Sequence, residues 1–398
     1  MRKVAIVGVG TMPWRSRRDD ETWRALGMQA VKNALADARL SRDDIDSVVY
    51  SIYCDLMLRQ QSPTPLAHDY LGMEGKPAIR IMAGAAGSMF ALYAAYCQVA
   101  SGMADIVLQP AIQKGQDFYS FETRSRGDGL LKGFSISGHT IWVQPIGPGA
   151  PGSITVTMLN PHIERFGGPT PEQLAKASVK NHKNALVNPE AQLKVDLTVD
   201  DVLNSRIMAW PTTMYQCCLY SDGAAALILA SEERAREITD TPIWLSGIAV
   251  STDNPNEQNA DKIGRVPAIF EAGRMAYKMA GIKDPLHDLD IMEVHDICTG
   301  LEVLTYEELG LCELGQAGRL IDEGVVEKDG LLPVNVTGGR VAAGHVGGVS
   351  GTYSAATVVR QLREQAGAMQ VPIRSGRGLV EAADGGAGHI GVAILERE

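Results

Sequence analysis

Residues 83–108 read AGAAGSMFALYAAYCQVASGMADIVL, and three kinds of structure follow one another within them. Small residues fill every position from Ala83 to Ser88. A run rich in Ala, Leu, Met and Tyr then predicts a helix over Met89–Ala100. Ser101-Gly102 ends it, and Asp105–Leu108 reads as a short apolar strand of the kind covered on both faces. Upstream, Val4–Val7 is a buried strand, and Trp23–Ala36 has helical spacing through Leu26, Ala30, Val31 and Ala34. Asp44–Ile52 returns to strand character, and Pro77–Met82 leads into the quoted stretch. Strands alternating with helices of this length predict an α/β protein whose mostly parallel sheet carries helices on its faces.

The same plan restarts near Pro242. Ile243–Val250 reads as a strand, Ala268–Met279 as a helix and Asp290–Val294 as a strand. Thr299–Leu309 and Gly351–Gln365 are helical, and Gly391–Leu395 is the closing strand. The order of elements repeats, while clear residue identity does not. The expected organisation is an N-terminal half over residues 1–240 and a C-terminal half over 241–398. Inside the first half, residues 115–220 interrupt the pattern with Gly-Pro-Gly, Asn-Pro and Gly-Gly-Pro turns and helical pieces at Pro171–Asn184 and Val199–Ser205. So long an interruption predicts a loop or cap region that shapes a substrate entrance. Strand character resumes at Ala224–Leu229.

Composition narrows the function classes. The 398 residues are 45% hydrophobic and 21% charged, an ordinary globular balance, and the net charge of −10 argues against a nucleic-acid binder. Nowhere do about eighteen apolar residues run together, so no membrane span is expected. The opening MRKVAIVGVGTM has too short an apolar run for a signal peptide, and a cytoplasmic protein is the expectation. Cysteines at 54, 97, 217, 218, 298 and 312 show no zinc-ligand spacing, so no metal site is expected and reduced thiols fit best. Gly8-x-Gly10 invites a dinucleotide reading, but Pro13 stands where the third glycine should be. That leaves two glycines in a tight βα turn.

Four stretches could carry chemistry. The small residues around Ala85 precede a long helix, whose exposed amides would stabilise an anion. Glu293-Val294-His295-Asp296 sets an imidazole and a carboxylate just past a strand end, where α/β sites collect. Gly338-Gly339-Arg340 and Gly344-His345-Val346-Gly347-Gly348 place one histidine in sharply bendable backbone. Asp384-Gly385-Gly386-Ala387-Gly388-His389 is a second flexible stretch before the last strand. Each stretch alone has a bland alternative: tight packing, a surface histidine or a structural turn.

Together they resemble the thiolase superfamily, and within it the sterol-carrier-protein-type thiolases and lipid-transfer thiolase-like proteins. The likeness runs through VAIVGVG (4–10), VASGMADIVL (99–108), NSRIMAWPTTMYQCCLYSDGAAALILAS (204–231), VHDICTGLEVLTYEELGLCELGQAG (294–318) and GGRVAAGHVGGVSG (338–351). It implies the thiolase fold: two similar halves in an α-β-α-β-α five-layer sandwich, usually dimeric. It also implies acyl-CoA chemistry, with coenzyme A as a substrate and no permanently bound cofactor.

The resemblance supplies roles as well. The family's nucleophilic cysteine falls at Ala85. His345 matches the histidine of the Gly-His-Pro loop, although Val346 stands in place of its proline. His295 matches the oxyanion-hole histidine of the His-Asp-Cys-Phe motif, whose acid/base cysteine falls at Ile297, with Cys298 one residue further. Gly344, Gly347, Gly386 and Gly388 would line the CoA and oxyanion site, and Arg124 and Lys132 are candidates for the CoA nucleotide. Phe118, Tyr119, Phe121, Phe134 and Trp142 would suit a bulky or aromatic acyl group.

A methyl group cannot form an acyl-enzyme. The leading reading is therefore a β-ketoacyl-CoA C-acyltransferase whose nucleophile has been replaced by Ala85. A second is a cysteine-independent retro-aldol lyase on a β-hydroxyacyl-CoA, with His345 and Tyr353 as candidate acid/base groups. A third is a non-catalytic lipid-transfer or scaffold subunit. A small OB-fold and zinc-ribbon subunit is a plausible partner in this subgroup.

Overall fold

The structure, a computed structural model, describes residues 2–53, 55–58, 60–115, 119–120, 125–126, 149–253 and 262–398. Arg124, Lys132, Phe118, Phe121, Phe134, Trp142 and the side chain of Tyr119 lie outside the described residues. Nine strands form one sheet: β1 (Val4–Gly10), β2 (Ser47–Ile52), β3 (Ala78–Ile81), β4 (Ile106–Gln113), β5 (Gly223–Ser231), β6 (Ile243–Thr252), β7 (Ile291–Glu293), β8 (Arg377–Ala383) and β9 (His389–Arg397). Their spatial order is β7-β8-β9-β6-β1-β5-β4-β2-β3.

That order is two copies of one plan meeting at β1 and β6, which pair antiparallel through Ala5↔Trp244 and Ile6↔Ile243. In each copy the last strand (β5, then β9) inserts antiparallel between the strand that precedes it in sequence (β4, then β8) and the first (β1, then β6). Parallel pairing is confined to β2 with β3, β2 with β4 and β7 with β8. The expected mostly parallel sheet is thus corrected to a mixed one. The β-α-β rhythm identifies crossovers, but a strand returning through a tight turn, as β9 does after β8, must run antiparallel.

Strand alternation sorts the interior into three cores. Val4, Ile6, Val107, Leu227, Ile243, Leu245, Val380 and Leu395 face a middle core, which also takes Met89, Leu92 and Val358 from helices α2 (Gly87–Ser101) and α6 (Ser350–Leu362). Ala5, Val7, Leu108 and Ile228 face the opposite way, against Leu26 and Val31 of α1 (Trp23–Ala38). Leu379, Val392 and Ile394 face α4 (Pro267–Ala280) and α5 (Thr299–Glu308). Outer helices, one half of the sheet, the middle helix pair, the other half of the sheet and outer helices make the five layers.

A matched pair of glycines repeats in the two halves. A Cβ at Gly8 would stand 2.6 Å from the Ala34 carbonyl oxygen, and one at Gly247 would stand 2.3 Å from that of Ala276. Each glycine follows a register shift in its strand. Gly8 therefore sits within the strand and brings α1 close, rather than in the expected βα turn.

The segment between β4 and β5 forms short helices at 149–166, then α3 (Pro171–Val187), before a small hairpin of Ile207–Ala209 with Thr212–Thr213. Thr170 caps α3 in a reciprocal capping box with Gln173, and Pro171 occupies its first turn. Ile154, Met158, Leu159, Leu174 and Ala177 pack into the outer core of the second half. The described part of the insertion is therefore built onto the C-terminal half. Among the described residues no helix is long and apolar enough to cross a membrane.

Candidate active site

The two middle-layer helices bring their N-termini together, where the Gly351 amide donates to Ser88 Oγ at 3.0 Å. Ser51, at the end of β2, donates through Oγ to the Gly348 carbonyl at 2.5 Å and lies 3.2 Å from where a Cβ on Gly87 would sit. Gly84 (φ +56°) approaches so closely that a Cβ there would be 2.7 Å from Asp384 Cβ. These contacts gather the buried Ala85, the 344–349 loop and the β8–β9 turn containing Gly386 and Gly388 at one place. Asp384 shapes that turn, accepting from the Gly388 amide at 2.7 Å and pairing with His389 Nδ1 at 3.0 Å. The pairing raises the pKa of His389.

Gly344 has φ +125°, a conformation closed to most side chains, and it turns the chain into His345. His345 pairs through its backbone with the 219–221 segment: its amide donates to Leu219 O at 2.5 Å and its carbonyl accepts from Ser221 N at 3.0 Å. Gly347 lies against Gln113, whose Oε1 would be 2.4 Å from a Cβ there. His295 follows β7 and donates its amide to Glu381 Oε2 at 2.8 Å. The two imidazoles meet edge to face, with ring centroids 5.1 Å apart and planes at 81°.

Both rings are buried. Burial, helped by the Arg340 guanidinium, holds His345 down to about 3. Burial, then His345, then Arg340, hold His295 well below the usual histidine range. At neutral pH both are uncharged, and each has one N–H to donate. Neither ring nitrogen of His295 has a hydrogen-bond partner among the described residues.

The two histidine loops are tied together by Asp296. Its Oδ1 accepts from the Arg340 amide at 2.6 Å and its Oδ2 from Asn181 Nδ2 at 3.0 Å. Gly339 is needed there, since a Cβ would stand 2.0 Å from Asp296 Oδ2. Behind Asp296, Lys180 of α3 and Glu302 of α5 form a fully buried ion pair at 2.9 Å, and Tyr306 also bonds to Glu302. Sequence reasoning missed Lys180, Asn181, Glu302 and Glu381. Glu302 interrupts an apolar helical stretch and so carried a signal. Lys180 and Asn181 lie in the polar run KNHKN, and a lone strand carboxylate such as Glu381 ordinarily marks a solvent face.

Cys298 is buried at the start of α5, where the Gly300 and Leu301 amides favour its thiolate, but burial prevails and pushes it up to about 11. Burial also raises Cys217 and Cys218. Tyr353 stands on α6 with its ring 4.2 Å from Trp14, and its hydroxyl accepts from Asn188 Nδ2 at 3.1 Å. Among the described residues no group of His, Cys, Asp and Glu side chains is arranged to hold a metal ion. This arrangement can donate N–H groups to a developing oxyanion, while Ala85 offers it no nucleophile.

Comparison with known proteins agrees with this geometry. Residues 249–397 match the thiolase C-terminal domain-like family. An acetyl-CoA acetyltransferase from Methanothermobacter thermautotrophicus is 34% identical over 372 residues, covering 93% of this chain and 94% of the relative. Sterol carrier protein 2 from Oryctolagus cuniculus is 31% identical over 386 residues, covering 93% of this chain and 68% of the relative. A solved structure described as an Ltp2-ChsH2(DUF35) aldolase shares the fold with a TM-score of 0.79 at 24% identity, covering 99% of this chain and 98% of that one. The chain belongs to the thiolase superfamily, in its sterol-carrier-protein-type branch.

Proposed function

We propose that this protein cleaves, or in reverse forms, the Cα–Cβ bond of a β-hydroxyacyl-CoA by a retro-aldol reaction that passes through no covalent acyl-enzyme. The observation that carries this reading is Ala85, a buried methyl group at the head of α2. A thiol there would be activated by the helix terminus, and none is present. Cys217, Cys218 and Cys298 are held protonated by burial and do not substitute for it.

The thioester carbonyl oxygen would accept from the neutral imidazoles of His295 and His345 and from amides at the head of α2. As the Cα–Cβ bond breaks, its electron pair enters the thioester as an enolate whose oxygen those donors stabilise. The β-hydroxyl gives up its proton and becomes a carbonyl, and the α-carbon then takes up a proton. The products are an aldehyde or ketone and a shortened acyl-CoA. One oxyanion donor of this kind is worth roughly 10²–10³ in rate.

Acyl transfer is the second reading, favoured by the 34% identical acetyl-CoA acetyltransferase. It requires a nucleophile that Ala85 cannot supply. A β-hydroxyacyl-CoA and a β-ketoacyl-CoA plus CoA, offered to the wild-type protein and to Ala85→Cys, separate the two. Cleavage of the β-hydroxy ester by the Ala85 protein supports the lyase, and thiolysis confined to Ala85→Cys supports transfer. Binding without turnover by either would leave a lipid-transfer role.

Two partners accompany the proposal. The edge strand β3 leaves Ile79 42% exposed, with Met82 just beyond it 66% exposed, which suits pairing with a second copy of the chain. A small OB-fold and zinc-ribbon subunit is the other, supported by the DUF35 component named with the aldolase of the same fold.

A further inference from the structure

From Gly378 to Ala383, β8 is apolar except at Glu381. By the two-residue period of a strand, Glu381 faces the same way as Leu379 and Ala383, into the outer core that also contains Ile297. The carboxyl group is fully buried. Its Oε2 accepts from the His295 amide at 2.8 Å, while its Oε1 has no partner among the described residues. Leaving such an oxygen unpaired inside a protein is a cost that folds ordinarily avoid, and it calls for a functional explanation. Two residues further along the same face stands only the methyl group of Ala383. The next residue, Asp384, lies against Gly84, the neighbour of Ala85. Glu381 therefore stands directly behind the His295 main chain, to which it is bonded, on the strand that leads into the turn against Gly84. The residue that the family likeness would make the acid/base, Ile297, has no proton to move.

We propose that Glu381 is the proton carrier of this site: its carboxylate takes the proton of the substrate's β-hydroxyl and returns it to the α-carbon. The inference rests on the lyase reading above and adds a residue to it. The balance closes within the substrate. The O–H pair becomes the π bond of the new carbonyl, the Cα–Cβ pair becomes the enolate, and the same proton ends on the α-carbon without an oxidant or a second substrate. Hydroxyl oxygen and α-carbon are both bonded to the β-carbon, so one carboxyl group can reach both. Burial lifts this carboxyl to about 8, against the opposing pull of the His295 amide and the Arg340 guanidinium. Both of its protonation states are then populated near neutral pH, as efficient proton transfer requires.

Exchange of α-protons isolates this step from bond cleavage. Acetyl-CoA and propionyl-CoA are incubated in D₂O with the wild-type protein, Glu381→Gln and Glu381→Asp, and deuterium at the α-carbon is read by mass spectrometry. Binding of each CoA ester is measured by calorimetry, and folding by circular dichroism. Exchange by the wild type, a loss of about 100-fold or more in Glu381→Gln with binding within threefold, and partial recovery in Glu381→Asp are expected. Exchange by Glu381→Gln within fivefold of wild type would overturn the assignment, as would no exchange by a wild-type protein that binds the esters. Should Glu381→Gln not fold, the Glu381→Asp rate decides: unchanged exchange after withdrawal of the carboxyl by one methylene counts against the proposal, and reduced exchange at intact binding counts for it. Glu381-dependent exchange without cleavage of any β-hydroxyacyl-CoA would sink the lyase reading, and with it the β-hydroxyl half of this one, and leave Glu381 as the proton carrier at the α-carbon. Cleavage that is indifferent to Glu381→Gln would spare the lyase reading and overturn this one.

Discussion

His345 and Glu381 should make opposite contributions to stability as the solution is acidified, and the wild-type protein should conceal both. Burial depresses His345 from 6.5 to about 3, so its contribution is present above 6.5 and is lost as pH falls toward 3. Burial raises Glu381 from 4.5 to about 8, so its contribution is complete below 4.5 and is lost as pH rises through 8. Between pH 7 and pH 5 the histidine then costs about 2 kcal/mol and the carboxyl returns about 2.5 kcal/mol, at 1.36 kcal/mol per pKa unit. His345→Gln keeps only the second effect and should gain stability on acidification relative to wild type. Glu381→Gln keeps only the first and should lose it. Urea midpoints at pH 7 and pH 5, followed by far-ultraviolet circular dichroism, give the comparison; midpoints are preferable because a chain of 398 residues is long for two-state extrapolation. Buried groups that touch neither side chain, such as Asp296, act equally in all three proteins and drop out of the differences. Parallel responses from wild type and both variants would show that these groups are not buried in the protonation states described, and the site chemistry built on them would fall.

Lys180→Met leaves Glu302 charged and unpaired in the interior and should destabilise the protein by about 3–5 kcal/mol, while a companion Glu302→Leu should recover much of that in thermal melts. A Cβ at Gly247 meets the Ala276 carbonyl at 2.3 Å, so Gly247→Ala should cost about 1–3 kcal/mol by the same measurement, as overpacking does; an unchanged melting point would refute the close approach. Ile79→Lys on the edge strand should shift a dimer toward monomer in analytical ultracentrifugation, and a chain that is monomeric beforehand would remove β3 as a docking edge.

Much of this fold was legible because each element carries its own signal. The apolar strands and the amphipathic α1 and α4 stand close to their expected places, and the repeated order announced two halves. What could not be read was pairing. Nothing local to Ala224–Leu229 says that this strand runs antiparallel between two others, because neighbour and direction are set by distant segments. Gly8 likewise read as a turn residue, when its use is to admit the backbone of α1. At the site, the loops of His295 and His345 declared themselves through strand ends and glycine density. Glu381 did not, because one carboxylate in a strand ordinarily marks the solvent face. Only the burial of both faces of β8 turns it into a core residue. Arg340 was quoted within its loop, but its effect on both imidazoles depends on the folding of 338–345 over Asp296.

Mass spectrometry of the protein during turnover tests the central claim most directly. Wild-type protein is mixed with a β-hydroxyacyl-CoA and sampled from early turnover to completion, with intact protein and CoA products read from the same samples. A shortened acyl-CoA should accumulate together with an aldehyde or ketone, while the protein mass stays that of the unmodified chain. A protein carrying an acyl adduct during turnover, or one that leaves β-hydroxyacyl-CoA untouched yet thiolyses a β-ketoacyl-CoA, would contradict the account.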